Sequence, residues 1–169
     1  MYSDALVEQA TALLQACRTA GVMIATAESC TGGLIAGCLT EIAGSSDVVD
    51  RGFVTYSYAA KNAMLDVPMA LIESGGAVSE PVARAMAEGA IIHSTADLAV
   101  AVTGVAGPSG GTATKPVGLV HLACAQRGGA TVHLEQRFGD LGRAGIREAA
   151  IHKALEILSQ MLSRRPSGA

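Results

Sequence analysis

The chain has 169 residues, 50% of them hydrophobic and 16% charged, with a net charge of −3. This describes one globular domain with an ample core and excludes intrinsic disorder. With no tryptophan, three tyrosines, two phenylalanines and no basic stripe, it lacks the electrostatic footprint of a protein that binds nucleic acid or an anionic membrane. In chain order, Leu6, Ala10, Leu13, Leu14 and Cys17 recur at helical spacing over about 4–19, capped by Ser3 or Asp4 and stopped by Gly21. Val22 to Thr26 reads as a short buried strand, and a helix from Thr31 to about Ile42 follows a sharp turn. Gly52 to Tyr56 reads as a strand, Lys61 to Asp66 as part of a short polar-faced stretch, and Pro68 to Gly75 as a short helix. Ser79, with Glu80 and Pro81 behind it, opens a helix that runs to about Ser94. Leu98 to Val102 is a buried strand leading into a glycine-rich loop over Thr103 to Gly111. Val117 to Ala125 and Thr131 to Phe138 alternate as strands joined by a connection too short for a crossover, so they pair antiparallel. A helix over Arg143 to Leu162 closes a single domain spanning 1–163, and 164–169 reads as a disordered, fraying tail.

The cysteines Cys17, Cys30, Cys38 and Cys124 form no Cys-x-x-Cys pair, which implies reduced, mostly buried thiols rather than a zinc knuckle or a disulfide framework. Met1-Tyr2-Ser3-Asp4 carries an acid where a secretory leader carries Lys or Arg, so a cytoplasmic protein is expected. Residues 98–126 hold a single charge, Lys115, but the Gly and Pro residues between 104 and 116 exclude a membrane-crossing helix.

Ligands of open α/β sheets sit outside the carboxyl ends of the strands, and three such ends are polar here. Ser29 stands between a strand and a helix start, where Gly32 and Gly33 allow close approach; it serves either as a helix cap or as a nucleophile beside an oxyanion hole. Cys30 is a rival nucleophile, because Glu28, Lys61 and Cys30 make the acid, lysine and cysteine set of some amidases; its alternative is a small buried side chain. None of His93, His121, His133 or His152 falls at a strand end near Ser29, which leaves Lys61 as the base if burial or a nearby cation lowers its pKa, with Tyr56 hydrogen-bonded between the two. The loop over Thr103 to Gly111 is no Walker A sequence but makes a plausible anion nest. His121 and His133 face each other across the last hairpin without a third ligand, so no metal site is expected. Arg143 and Arg147, one turn apart at a helix start, favour a ligand-facing role over a solvated face.

The segments Thr26-Ala27-Glu28-Ser29-Cys30-Thr31-Gly32-Gly33, Ala43-Gly44-Ser45-Ser46, Gly52-Phe53-Val54-Thr55-Tyr56-Ser57, Gly76-Ala77-Val78-Ser79-Glu80, Thr103-Gly104-Val105-Ala106-Gly107-Pro108 and Lys115-Pro116-Val117-Gly118 closely resemble, in order, the C-terminal domain of the competence/damage-inducible protein CinA. The resemblance spans nearly the whole chain and is that of a stand-alone form lacking the family's N-terminal molybdopterin-cofactor-like domain. It implies an α/β class, three-layer α/β/α fold with a mixed, mostly parallel five-stranded sheet. It also implies an amidohydrolase acting on a linear carboxamide, hydrolysing nicotinamide mononucleotide (NMN) to nicotinate mononucleotide and ammonia without a cofactor. Carried over by motif, Ser29 is the nucleophile, Lys61 and Tyr56 complete the catalytic set, and the final-helix arginine falls on Arg147; Cys30, Thr31, Gly32, Gly33, Thr103, Gly104 and Gly107 are expected to contact substrate with it.

Two departures from the family pattern stand out. Tyr58 replaces an Asn after Tyr-Ser, and Gly139-Asp140-Leu141-Gly142-Arg143 replaces Gly-Asp-Arg, which leaves the register open between Arg143 and Arg147. The expected partner is the nucleotide substrate, with no nucleic acid or membrane and with room for a homo-oligomer. The competing class is a catalytically silent nucleotide-binding or regulatory module linked to competence or DNA damage.

Overall fold

The computed structural model describes residues 2–165. Helix α1 spans Asp4–Ala20 and buries Leu6, Ala10, Leu13, Leu14 and Cys17. It ends at Gly21 in the left-handed conformation, with the Gly21 N–H on the Arg18 carbonyl and the Val22 N–H on the Cys17 carbonyl. This closure takes Val22 out of the strand expected over 22–26, and β1 runs Ile24–Glu28 instead.

After β1 come α2 (Leu34–Thr40), a 3-10 turn at Ser45–Asp47, β2 (Val49–Val54), α3 (Tyr58–Leu65), α4 (Met69–Gly75), α5 (Glu80–Ile92), β3 (Leu98–Gly104), β4 (Leu119–Gln126), β5 (Val132–Arg137) and α6 (Gly142–Ser163). The sheet order is β2-β1-β3-β4-β5. β1 lies parallel to β2 and β3, while β3–β4 and β4–β5 are antiparallel. Thus only β4 opposes the common direction, and the expected mixed α/β sheet is found. The parallel register sets Glu28 beside both Val54 and Val102, so the ends of β2, β1 and β3 lie side by side.

Period-two alternation divides the strands between two different cores. Ile24, Leu98, Val100, Val102, Val120, Leu122 and Cys124 face α1, α2 and α6, and all four cysteines lie in this core. Ala25, Ala27, Ala99, Ala101, Ala123 and Ala125 face α5, whose Val82, Ala83, Met86, Ala87 and Ala90 pack on them. Small side chains on both surfaces let that helix approach the sheet closely.

The polar-faced stretch expected over 61–66 is the greater part of α3. Ser57 caps this helix, its Oγ accepting the Ala60 N–H at 3.0 Å. The end of α3 lies directly on α5 at Gly89, where a Cβ would collide with the Leu65 carbonyl oxygen. That close approach seats α3 on the carboxyl end of the sheet and so fixes where Lys61 can reach. Beyond α6, the N–H groups of Arg164 and Arg165 bond back to Met161 and Leu162, and Arg165 lies 3.7 Å from Asp97. The rest of the expected tail, 166–169, lies outside the described residues. Among the described residues, no helix is long and apolar enough to cross a membrane.

Candidate active site

Ser29 follows the last residue of β1, and its N–H bonds the Val102 carbonyl at 3.0 Å, continuing the β1–β3 ladder by one residue. The capping of α2 falls to Glu28, not to Ser29. The Glu28 carboxylate is fully buried and accepts the N–H groups of Gly33 (3.0 Å), Ile35 (3.0 Å) and Ala36 (2.8 Å), with the Thr26 hydroxyl at 3.1 Å. Strand alternation explains the division of labour. Ile24, Thr26 and Glu28 share the face that carries α2, so Ser29 turns to the face that carries α3.

There it meets Lys61. Nζ lies 2.9 Å from Ser29 Oγ and donates to the Thr55 carbonyl at 2.6 Å. Lys61 is only 1% exposed, and burial pulls its pKa down from 10.5 to about 8. Desolvation disfavours the ammonium, so a sizeable fraction of the amine is neutral near physiological pH. In that form the lone pair faces Oγ and the serine hydroxyl becomes the donor.

Cys30 points the other way, into the core with Ile35, Cys38 and Val102. Burial raises its thiol pKa to about 11, which removes the thiolate a cysteine nucleophile needs. With Glu28 committed to the α2 backbone, the acid, lysine and cysteine set does not assemble.

Tyr56 does not stand between Ser29 and Lys61 as expected. It is 62% exposed, and its hydroxyl accepts from the Arg143 guanidinium at 3.1 Å, while Lys61 and Ser29 touch directly. Arg143 also donates to the Gly107 carbonyl at 2.9 Å, so it ties the loop after β3 to the segment that follows β2. Arg147, one turn further on, donates to the Thr31 carbonyl at 2.9 Å. The open register thus resolves spatially: Arg143 reaches Tyr56 and the glycine-rich loop, and Arg147 reaches the turn after Ser29.

Thr103 is buried and bonds the Ala77 carbonyl at 2.9 Å, closing the segment before α5 over the end of β3. Gly104 lies against β4, where a Cβ would sit 2.7 Å from Val120 Cγ2. Gly107, at φ +72°, leaves its missing Cβ only 2.7 Å from Val117 Cγ1, so the glycine serves packing within the loop as well as its turn. Gly32 and Gly33 commit their N–H groups internally, to the Ser29 carbonyl and to Glu28.

Among the described residues, three buried side-chain polar atoms have no partner: Thr31 Oγ1, Thr55 Oγ1 and Arg147 Nε. Thr31 lies two residues after Ser29, the Thr55 carbonyl accepts from Lys61 and Arg147 bonds the Thr31 carbonyl, so unmet hydrogen-bonding capacity concentrates at this end of the sheet. His121 and His133 do meet, with ring centroids 5.2 Å apart and a 2.9 Å Nδ1–Nε2 bond, as diagonal neighbours across the β4–β5 ladder. The two site members that sequence reading missed are Glu28 as the anchor of the turn and Arg143 as the partner of Tyr56.

The fold and site define an α/β protein in which a half-buried serine meets a buried lysine at the carboxyl end of a mixed sheet. Residues 6–162 match the model of the CinA C-terminal domain, and the chain belongs to that family. It is 54% identical over 144 residues to a CinA-like protein of Mycolicibacterium vanbaalenii, a match covering 85% of this chain and 34% of that protein. A CinA-like protein of Anaeromyxobacter dehalogenans is 51% identical over 82% of this chain and 33% of its own length. The chain therefore spans about a third of the length of the curated relatives it matches. Among solved structures, the competence/damage inducible protein CihA from Agrobacterium tumefaciens superposes with a TM-score of 0.94 at 53% identity, covering 97% of this chain and 99% of that one. A CinA superfamily protein from Escherichia coli gives 0.88 at 33% identity, covering 95% and 94%.

Proposed function

We propose that this chain is a cytoplasmic amidohydrolase that deamidates nicotinamide mononucleotide, with Ser29 as nucleophile and Lys61 as base. The observation that carries the reading is the 2.9 Å contact between Ser29 Oγ and a lysine that is 1% exposed and held at a pKa of about 8. A structural lysine is rarely placed so deep without a carboxylate partner, and its nearest bonded groups here are a hydroxyl and a carbonyl.

The neutral Lys61 amine takes the Ser29 proton as Oγ bonds to the carboxamide carbon, and the carbonyl electron pair moves onto oxygen. When that pair returns, the C–N bond breaks and Lys61 hands the proton to the departing ammonia. Water then attacks the ester carbon, losing a proton to Lys61; the bond between that carbon and Ser29 Oγ breaks, Lys61 returns the proton to Oγ, and the acid released gives its remaining proton to solvent. Nucleophile and proton carrier are both side chains of this chain, so the reaction calls for no cofactor. Arg147, with its unpartnered Nε, and the loop over Thr103 to Gly111, with Gly110 and Gly111 exposed, are the groups that hold the nucleotide phosphate. Tyr56, fixed by Arg143 at the mouth, lines the approach.

The test is ammonia release by the purified protein from NMN and from free nicotinamide, each with and without EDTA. NMN turnover that survives chelation and vanishes in Ser29→Ala supports the reading. No turnover of NMN, with the nucleotide still bound, assigns the chain to the silent binding class instead. Equal kcat/KM for NMN and nicotinamide removes the phosphate-binding roles.

A further inference from the structure

The turn after β1 accounts for nearly all of its backbone donors, and the exceptions are informative. From Ser29 to Ala36, the N–H groups of Ser29, Gly32 and Leu34 go to backbone carbonyls, and those of Gly33, Ile35 and Ala36 go to Glu28. Cys30 and Thr31 remain. Among the described residues, neither N–H has an oxygen acceptor, and the Cys30 amide touches only its own sulfur, a weak acceptor. Both residues are buried, at 6% and 0% exposure, where an unmet amide donor carries a free-energy penalty unless something fills it. The Thr31 hydroxyl beside them is likewise buried and unpartnered.

We propose that the Cys30 and Thr31 N–H groups form the oxyanion hole of the Ser29 reaction; this rests on the acyl-transfer reading above and identifies its electrophilic groups. Glu28 makes the assignment selective. By taking the donors of Gly33, Ile35 and Ala36, it leaves only the two amides that immediately follow the nucleophile, and it holds the turn so that they need not reorganise when charge develops. The glycines of the turn supply shape, and the donors come from their non-glycine neighbours.

The experiment replaces single amides by esters, using α-hydroxy acids at position 31 or 33, which deletes one N–H and keeps the side chain. Two rates are read: kcat for ammonia release from NMN, and the rate of covalent labelling of Ser29 by a fluorophosphonate, whose phosphoryl oxygen occupies the same hole. The ester at Thr31 lowers both by about 10²- to 10³-fold while the pH inflection near 8 and the Tm stay close to wild type. The ester at Gly33, which cuts a Glu28 bond, lowers the Tm and slows labelling by less than the Thr31 ester does. If the Thr31 ester keeps both rates within about threefold of wild type, or the Gly33 ester slows labelling more at equal Tm, the assignment is overturned. Should the wild-type protein release no ammonia from NMN, the substrate reading fails, and the labelling rates still decide the hole.

Discussion

Two loops leave the neighbouring parallel strands β1 and β3 side by side, and they are built on opposite principles. The turn over 29–33 is buried at Cys30 and Thr31, and a fully buried carboxylate anchors it and the start of α2 through three backbone amides. The loop after β3 is exposed from Pro108 to Thr114 and is tethered at a few points: Val105 and Gly118 to each other and to β4, Thr112 to Lys115, and Gly107 to Arg143. Chemistry needs donors fixed before charge develops, whereas recognition of a flexible nucleotide tolerates a surface that adjusts. Changes on the first loop should therefore act on kcat and changes on the second on KM, with stability moving only where buried polar groups are disturbed.

The largest break comes from Lys61→Met, which removes the proposed base and should lower kcat by about 10³-fold or more. Wild-type kcat/KM should climb about tenfold per pH unit below 8 and level off above it, an inflection the variant lacks. The substitution acts on stability in the opposite sense to activity. The folded pKa of about 8 lies below the ordinary 10.5, so below pH 8 the folded state carries the full burden of a charged buried amine, relieved as pH rises from about 8 to 10.5. Lys61→Met should gain up to about 3 kcal/mol at pH 7 and lose this pH dependence, read from urea midpoints across the series.

Glu28→Gln sharpens the comparison from beneath the turn. An amide NH₂ would face the N–H groups that the carboxylate now accepts, costing about 2–4 kcal/mol and slowing kcat at least about tenfold, measured by Tm and steady-state kinetics together. On the other loop, Gly107→Val forces a Cβ toward Val117 at positive φ and should raise KM for NMN about tenfold with kcat within about threefold. The smallest effect belongs to Cys30→Ser, which should keep kcat within about threefold and cost about 1–2 kcal/mol for a buried hydroxyl. A dead Cys30→Ser at native stability would return the cysteine to the mechanism.

The strand–turn–helix at Ser29 was legible because its signal is local: an apolar run, a polar end, then paired glycines. The start of β2 was hidden, since Val49, Asp50 and Arg51 belong to an exposed edge strand whose residues carry no burial pattern. α3 was hidden by weak amphipathicity, with its buried lysine standing where an apolar residue would mark the inner face. The same residue explains why, apart from the family motif, the serine–lysine contact could be inferred only by elimination. Its 32-residue separation is bridged by the packing of α3 on Gly89, which no local pattern announces. Glu28 and Tyr56 were misplaced for a related reason. Which face of a strand end a side chain takes, and whether an arginine on a distant helix claims it, are settled by tertiary register.

The clustering of every thiol in one core gives the protein a built-in probe of its own breathing. Cys17, Cys30, Cys38 and Cys124 all lie beneath α1, α2 and α6, none beneath α5, and burial holds each at a pKa of about 11 or 12. A disulfide reagent therefore meets almost no thiolate until that half opens, and modification rates report the frequency of its excursions. The alanine-lined half gives no such signal. Comparing labelling at Cys30 with labelling at Cys124, at varying denaturant, would show whether the turn beside Ser29 opens alone or only when the sheet does.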